Sequence, residues 1–479
     1  MWTTLALIGL TLCVHVPAVL NAGWVIDDHA NLKIHAAHGD LIGEWTTPTY
    51  AHAGGASGHI WRPVPATLQH LCALIWDRSP SMFRGLNLFV HLINLALLAW
   101  VCRRANPRFA AAVLLIWATH PVLPESICWS SDIYDLMMAM FLLITLTVLP
   151  TRPMLALLAF LCALLSKEVA LAALPALVML CVQQRKYVIL CGVGATAAAY
   201  LGVHQSITSN QYLQSTLESD SLQQLLSWAQ NLAWLLYVPA QAPFAHLSSD
   251  TSLASLLVAG ALGVSFLMWI RYRPEHRSQL LIAALCWGGL LIPVGVGVAI
   301  SGVHGFRYSY APLLLVAATI ATLPSVSIHR VGWLLIGIWS MTGAWRCTQR
   351  IPAWQNDLTL WTAEHQIEPE NLYAQINLGR QEFLEGNPNG VLRWASSIDK
   401  LDTKRQLLHR HREREALSKA AFLVGNHQLS LAQSLQLIRE QEQEQRSIPP
   451  DLWCIVADNQ ERLGHSFEDA ESKCSPTQR

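Results

Sequence analysis

Carboxylates and cations do chemistry where something keeps them charged and close together, and this chain sets several just outside long apolar runs. Asp27 and Asp28 are adjacent acids a few residues past the first such run. Trp61-Arg62-Pro63 follows, then His120-Pro121 with Glu125, Trp129, Asp132 and Asp135, then Ser166-Lys167-Glu168, and last Arg307-Tyr308-Ser309-Tyr310. A carboxylate so placed can take the proton of a hydroxyl, and a fixed lysine or arginine can hold a phosphate. Ionisable groups at membrane depth are costly, which marks them as functional.

The elements that must position these residues are apolar helices. Of 479 residues, 52% are hydrophobic and 13% charged, against roughly 25% charged in soluble domains. The expected class is therefore an all-α polytopic membrane protein. A bilayer span needs about 20 apolar residues, and the sequence offers about eleven candidates, several of them short: 2–20, 83–102, 109–121, 136–150, 154–165, 169–182, 187–203, 253–270, 280–300, 308–323 and 331–345. Net charge is zero and no Lys/Arg-rich run occurs, so nucleic acid is not an expected partner.

Orientation follows from Lys and Arg in short loops, which favour the cytoplasm. Arg103, Arg104 and Arg108 follow the second segment and Arg152 the fourth. Arg185 and Lys186 follow the sixth, Arg271, Arg273 and Arg277 the eighth, and Arg330 the tenth. The amino terminus is then cytoplasmic, and the acid-bearing loops and everything after Trp345 lie on the other side. The expected division is a transmembrane domain, 1–346, and an extracytoplasmic helical domain, 347–479. The long first outer loop, 21–82, holds Trp45, Trp61, Trp76 and a flexible small-residue stretch, 51–58, and fits an interfacial segment. The leucine and tryptophan spacing of 221–237 suits a second interfacial helix.

Beyond Trp345 the composition turns to Glu, Gln, Arg and Asn. Pro369, Asn371, Ala374, Asn377, Leu378, Gly379 and Gly386 stand at spacings that resemble a tetratricopeptide repeat, whose paired helices need a small residue where they cross. A fainter copy covers 452–470, with Trp453, Ala457, Leu463, Gly464 and Ala470, and a further pair lies around 420–437. Cys454 and Cys474 would pair as a disulfide if this region lies outside the cytoplasm. The other cysteines read as small buried hydrophobes. Asn87, His91 and Asn94 share one helix face and read as interhelical hydrogen-bonding groups. The first-loop histidines, His29, His35, His38, His52 and His59, lack metal-ligand spacing, and no metal is expected from the residues.

The order of Asp27-Asp28, Arg62-Pro63, Asn87 with His91 and Asn94, His120-Pro121 with Glu125 and Trp129, Leu165-Ser166-Lys167-Glu168 and Arg307-Tyr308, followed by a repeat region, resembles the transmembrane and tetratricopeptide-repeat O-mannosyltransferases of the GT-C superfamily. The resemblance implies an inverting glycosyltransferase that moves a sugar, mannose in that family, from a polyprenyl-phosphate carrier to a protein Ser or Thr or to an envelope glycan. By the same implication Asp27 or Asp28 is the base, with Asp27 preferred. Lys167 and Arg307 hold the departing phosphate, and Arg62, His120, Glu125, Trp129, Asp132, Glu168 and Tyr308 shape the sugar and acceptor pocket. The polyprenyl-phosphate sugar is the donor, and whether a divalent metal takes part is left open. The implied partners are that donor, a protein or glycan acceptor and the bilayer, and the place is an inner membrane with the repeat domain in the periplasm. One departure stands out: the family commonly has a small residue, Arg and an acid after this Trp, whereas Trp129 is followed by Ser130-Ser131-Asp132. A lipid-linked glycan ligase or polymerase would share the topology. A non-catalytic scaffold working through its repeat region would leave the outer-face acids and cations unused.

Overall fold

The computed structural model describes residues 2–34, 40–49, 51, 60–76, 79–102, 107–208, 229–230, 232–233, 249–301, 305–323, 328–369, 371–398, 418–419, 421–422, 425–443, 450–466 and 468–474. Every regular element among them is helical. The chain divides into two units, Met1–Asn356 and Asp357–Arg479. The sequence expectation placed the boundary after residue 346, inside the helix Arg330–Arg350. That helix runs into a 3-10 turn, Ile351–Gln355, whose Trp354 is fully buried and stacks on Trp129, so the segment up to Asn356 packs with the first unit.

The first unit is built from α1 (Trp2–Leu20), α2 (Pro63–Trp76), α3 (Pro80–Cys102), α4 (Pro107–Ala118), α5 (Leu123–Cys128), α6 (Ile133–Val148), α7 (Pro153–Ser166), α8 (Leu174–Gln183), α9 (Tyr187–Ile207), α10 (Ser249–Tyr272), α11 (Arg277–Ser301), α12 (Tyr310–Ala321) and α13 (Arg330–Arg350). Three of its helical stretches are long and apolar enough to cross a membrane: Pro80–Cys102, Ser130–Val148 and Tyr187–Ile207. A fourth span results if the pair Leu256–Tyr272 and Pro274–Pro293, bent by 108°, is one broken crossing. The break falls at Pro274, which has no N–H to continue a helix.

The expectation of about eleven spans is corrected by length. Leu5–Leu20, Phe109–Ala118, Pro153–Ser166, Glu168–Gln183 and Phe306–Ala321 are apolar but short, between 10 and 17 residues. At 1.5 Å per residue the twelve residues of α4 reach about 18 Å, well short of a 30 Å hydrocarbon core. All but the first residue of the stretch expected at 51–58 and most of 221–237 lie outside the described residues, as do His35, His38, His52, His59, Arg103 and Arg104.

The buried face of α3 ties the bundle together with polar groups. Asn87 Nδ2 donates to the carbonyls of Ser126 (3.1 Å) and Trp129 (2.7 Å). Asn94 Nδ2 donates to Leu136 O and to the Tyr310 hydroxyl, both at 3.1 Å, and His91 Nδ1 shares a 2.9 Å hydrogen bond with the same hydroxyl. Three residues about one helical turn apart thus fasten α3 to α5, α6 and α12, the interhelical role their spacing suggested.

The second unit contains α14 (Asp357–Ile367), α15 (Leu372–Leu384), α16 (Pro388–Ile398), α17 (His427–Gln443), α18 (Pro450–Arg462) and α19 (Glu468–Lys473). Gly386, Gly425 and Gly464 stand 39 residues apart and all have positive φ, 72°, 77° and 72°. After each, the next amide reaches back to a carbonyl five residues earlier: Asn387 to Glu382, Asn426 to Ala421, His465 to Gln460. That is the hydrogen bond of a glycine-terminated helix, where a side chain at the left-handed residue would be strained. The residue after the glycine then starts the next helix, since Asn387 and Asn426 side chains accept from Gly390 N and Leu429 N. Cys454 and Cys474 form a disulfide with Cα atoms 4.8 Å apart, pinning α18 to the residue after α19.

Candidate active site

The Asp27-Asp28 turn is clamped before its acids are placed. Arg84, buried near the start of α3, donates to Ala18 O (3.3 Å), Gly23 O (2.6 Å) and Trp354 O (2.6 Å). Gly23 lies against Gln355 O so closely that a Cβ there would collide. Ile26 takes φ 53°, an uncommon conformation for a β-branched residue that a constrained surround must hold. Asp28 N closes the turn onto Val25 O at 2.9 Å.

The two aspartates then do different things. Asp28 is fully buried, and it accepts from Ser131 N (2.8 Å), Ser131 Oγ (2.7 Å) and Ser130 N (3.3 Å). Burial, with the neighbouring Asp27 charge adding to it, pushes its carboxyl up to about 7. Asp27 keeps contact with solvent while protein surrounds its other sides. It accepts from Trp129 Nε1 (2.8 Å) and Asn31 Nδ2 (3.2 Å). Crowding raises its carboxyl above the ordinary range, and the Trp129 bond and the Arg307 charge oppose that rise. Asp28 is therefore a bracket and Asp27 an open acid. Ser130 and Ser131 supply the bracket's donors.

Arg307 comes to the same place from 280 positions further along. Its guanidinium lies over the Trp129 ring, 4.1 Å from the centroid, and over Tyr308 at 4.4 Å. Nη1 donates to Glu125 Oε1 at 2.6 Å and Nη2 to the Tyr308 hydroxyl at 2.9 Å, with Asp132 Oδ1 3.8 Å from Nε. Glu125 is buried and uses its second oxygen on the amides of Phe306 (2.6 Å) and Arg307 (3.3 Å). Burial raises its carboxyl and the Arg307 charge opposes that rise. One glutamate thus fixes both the backbone and the side chain of the arginine turn. Lys167, in the break between α7 and the 3-10 turn Glu168–Ala173, pairs with Asp135 Oδ2 at 2.5 Å and lies 5.3 Å from the Tyr308 ring centroid.

Trp129 and Tyr308 therefore join the pieces: the indole N–H holds Asp27 while its face carries Arg307, and the phenol sits between Arg307 and Lys167. Beside this cluster, Arg62 grips Glu168 with two bonds, 3.0 and 2.6 Å, and lies over the Tyr134 ring. His120 turns elsewhere, its ring 5.2 Å from that of Trp339 on α13. Ser131 was noted only as a departure after Trp129, and Asn31 and Arg84 were given no role from the sequence. Arg84 carried one readable signal, an arginine in an apolar helix, whereas Asn31 carried none. Among the described residues, no group of three or more His, Cys, Asp or Glu is arranged to hold a metal ion.

No protein-family model, no curated protein and no solved structure matches the chain.

Proposed function

We propose that the chain is a GT-C-like inverting glycosyltransferase of an inner membrane, taking a sugar from a polyprenyl phosphate and giving it to a hydroxyl of a protein or envelope glycan outside the cytoplasm. One observation carries the reading: a solvent-open carboxylate, Asp27, hangs from Trp129, whose ring faces bear Arg307. Asp27 takes the proton of the acceptor hydroxyl. That oxygen bonds to the anomeric carbon as the carbon–oxygen bond to phosphate breaks on the opposite face, and the lipid phosphate leaves with the electron pair. Negative charge grows on the phosphate in this step, and cations fixed in advance stabilise it.

Arg307 and Lys167 are the cations for that task. Each is steadied by an acid, yet donors remain, because two of five guanidinium N–H groups and one of three ammonium N–H groups are engaged within the described contacts. The same reading makes the second unit a tetratricopeptide-like repeat domain that presents the acceptor in its concave face. Its disulfide supports an oxidising, extracytoplasmic side for that unit.

Purified protein supplied with radiolabelled polyprenyl-phosphate sugars and hydroxyl acceptors is expected to transfer one sugar with inversion. Transfer that persists in Asp27→Asn, or a product of retained configuration, would sink the assignment.

A further inference from the structure

At the far ends of the same helices lies a hollow of about 250 Å³. Trp100 on α3 borders it, and Asn87, beneath Trp129, is thirteen residues back along that helix. The two places are thus about 20 Å apart along the bundle. Its walls are apolar, with Leu143 and Leu146 of α6, Ile282 of α11 and Ala318 of α12, and among the described residues no carboxylate lines it. Hydrogen-bonding groups gather at one edge. Ser278 Oγ donates to Gln183 Oε1 at 2.8 Å, while Gln279 Oε1, also at the edge, is buried with no partner. Lys186 Nζ donates to Leu149 O (3.0 Å) and to the carbonyl of Pro150, itself a lining residue. Arg277, exposed, precedes Ser278 at the start of α11.

We infer that this hollow is a binding site for an anionic phospholipid whose head group carries hydroxyls, of the phosphatidylglycerol kind. An apolar slot opening between helices accepts an acyl chain, and a basic edge at the end of such a slot accepts the phosphate. Lys186 and Arg277 supply the charge. Gln279 Oε1 supplies the acceptor for a head-group hydroxyl, since a buried acceptor left alone costs about 1–3 kcal/mol. A zwitterionic lipid also fills the slot, but the cation of its head group offsets the attraction of the basic edge for its phosphate. The occupant is thus distinct from the sugar donor proposed at the other end, and the inference stands without that reading.

The test uses the full chain in nanodiscs made of equal parts phosphatidylglycerol and phosphatidylcholine, with retained lipids counted by native mass spectrometry. Phosphatidylglycerol is expected to be retained selectively. Lys186→Gln should weaken that retention about 5-fold, as one surface cation near a lipid phosphate is worth about 1 kcal/mol. Ala318→Trp, or Leu146→Trp from the facing wall should the first variant not fold, should lower retention of any lipid by filling the slot. Equal retention of the two lipids, or retention untouched by a folded slot-filling variant, would overturn the inference. So would displacement of the bound phospholipid by polyprenyl phosphate, since the slot would then belong to the donor's tail.

Discussion

The two ends of the helix bundle are made by the same elements, α3, α6 and α12, and they solve opposite problems. At one end Asp27, Asp28, Glu125, Asp132, Asp135, Lys167 and Arg307 crowd together, and all but Asp27 are buried or nearly so. Asp28, Glu125, Asp135, Lys167 and Arg307 are held by one another or by backbone amides, while Asp132 keeps one oxygen 3.8 Å from Arg307 and the other buried without a partner. At the other end the hollow is lined by leucines, threonines and glutamines, and its cations stay at the edge. The difference teaches how such a bundle handles charge. Burying an ion costs several kcal/mol unless partners replace its water, so charge is concentrated where a network can satisfy it and left off the walls elsewhere. Within that network the one carboxylate that still reaches solvent is the one free to take a proton.

This contrast can be broken by removing partners at the charged end. Glu125→Ala leaves Arg307 without its nearest counter-charge and Phe306 N without an acceptor, and should cost about 3–5 kcal/mol, read as a fall in thermal midpoint in detergent. Next in size is Cys454→Ser in the second unit. Opening a loop that joins residues 20 apart should cost about 3 kcal/mol, and a chain that forms this disulfide only when exported would sharpen the sidedness of the charged end. Asp28 gives a pH signature. Its folded carboxyl is raised, so the folded state holds a proton that the unfolded chain has lost between about pH 4 and 7. Stability from this group is then greatest at the acid side of that window and falls as pH rises through it. Melting points of Asp28→Asn across pH 4 to 7 should lose that slope.

Smaller effects mark the periphery and the neutral end. Arg62 and Glu168 are paired, but the glutamate side chain is 37% exposed, so Glu168→Gln should cost no more than about 1 kcal/mol. Gln279→Leu should be near neutral or slightly stabilising, because it removes an acceptor that has no partner. A large loss at Gln279 would mean that the two ends share one network after all.

Much of this was legible in the residues. Composition pointed to a helical membrane chain, and the described residues are all helical in their regular elements; Asp27, Glu125, Asp132 and Arg307 do gather around Trp129, whereas Arg62 and Glu168 pair beside it and His120 turns away. The single helix face of Asn87, His91 and Asn94 was readable because a 3.6-residue period is local. Span number was not, since an apolar run of 10 to 17 residues has the same pattern whether it crosses or stops halfway. Nor was the division of labour between Asp27 and Asp28. It depends on Ser131, 103 positions away, and no local pattern announces such a partner. Glu125 had its pocket role from the resemblance alone, and its bonds to Phe306 N, Arg307 N and the Arg307 guanidinium make it a brace. In the second unit, Gly386 and Gly464 were picked out but Gly425 between them was not, so the 39-residue spacing stayed hidden until the positive φ values aligned the three.

The central claim is that the open acid does the chemistry while its buried neighbour holds the turn. The direct measurement is single-turnover transfer from a polyprenyl-phosphate sugar by Asp27→Asn and Asp28→Asn, each compared with the native chain well below its own melting point. The account predicts that Asp27→Asn loses about 10²–10⁴-fold in rate with its melting point unchanged, while Asp28→Asn retains most of the rate and alters the melting point. Equal rates for the native chain and Asp27→Asn, or a rate lost only in Asp28→Asn, would contradict it.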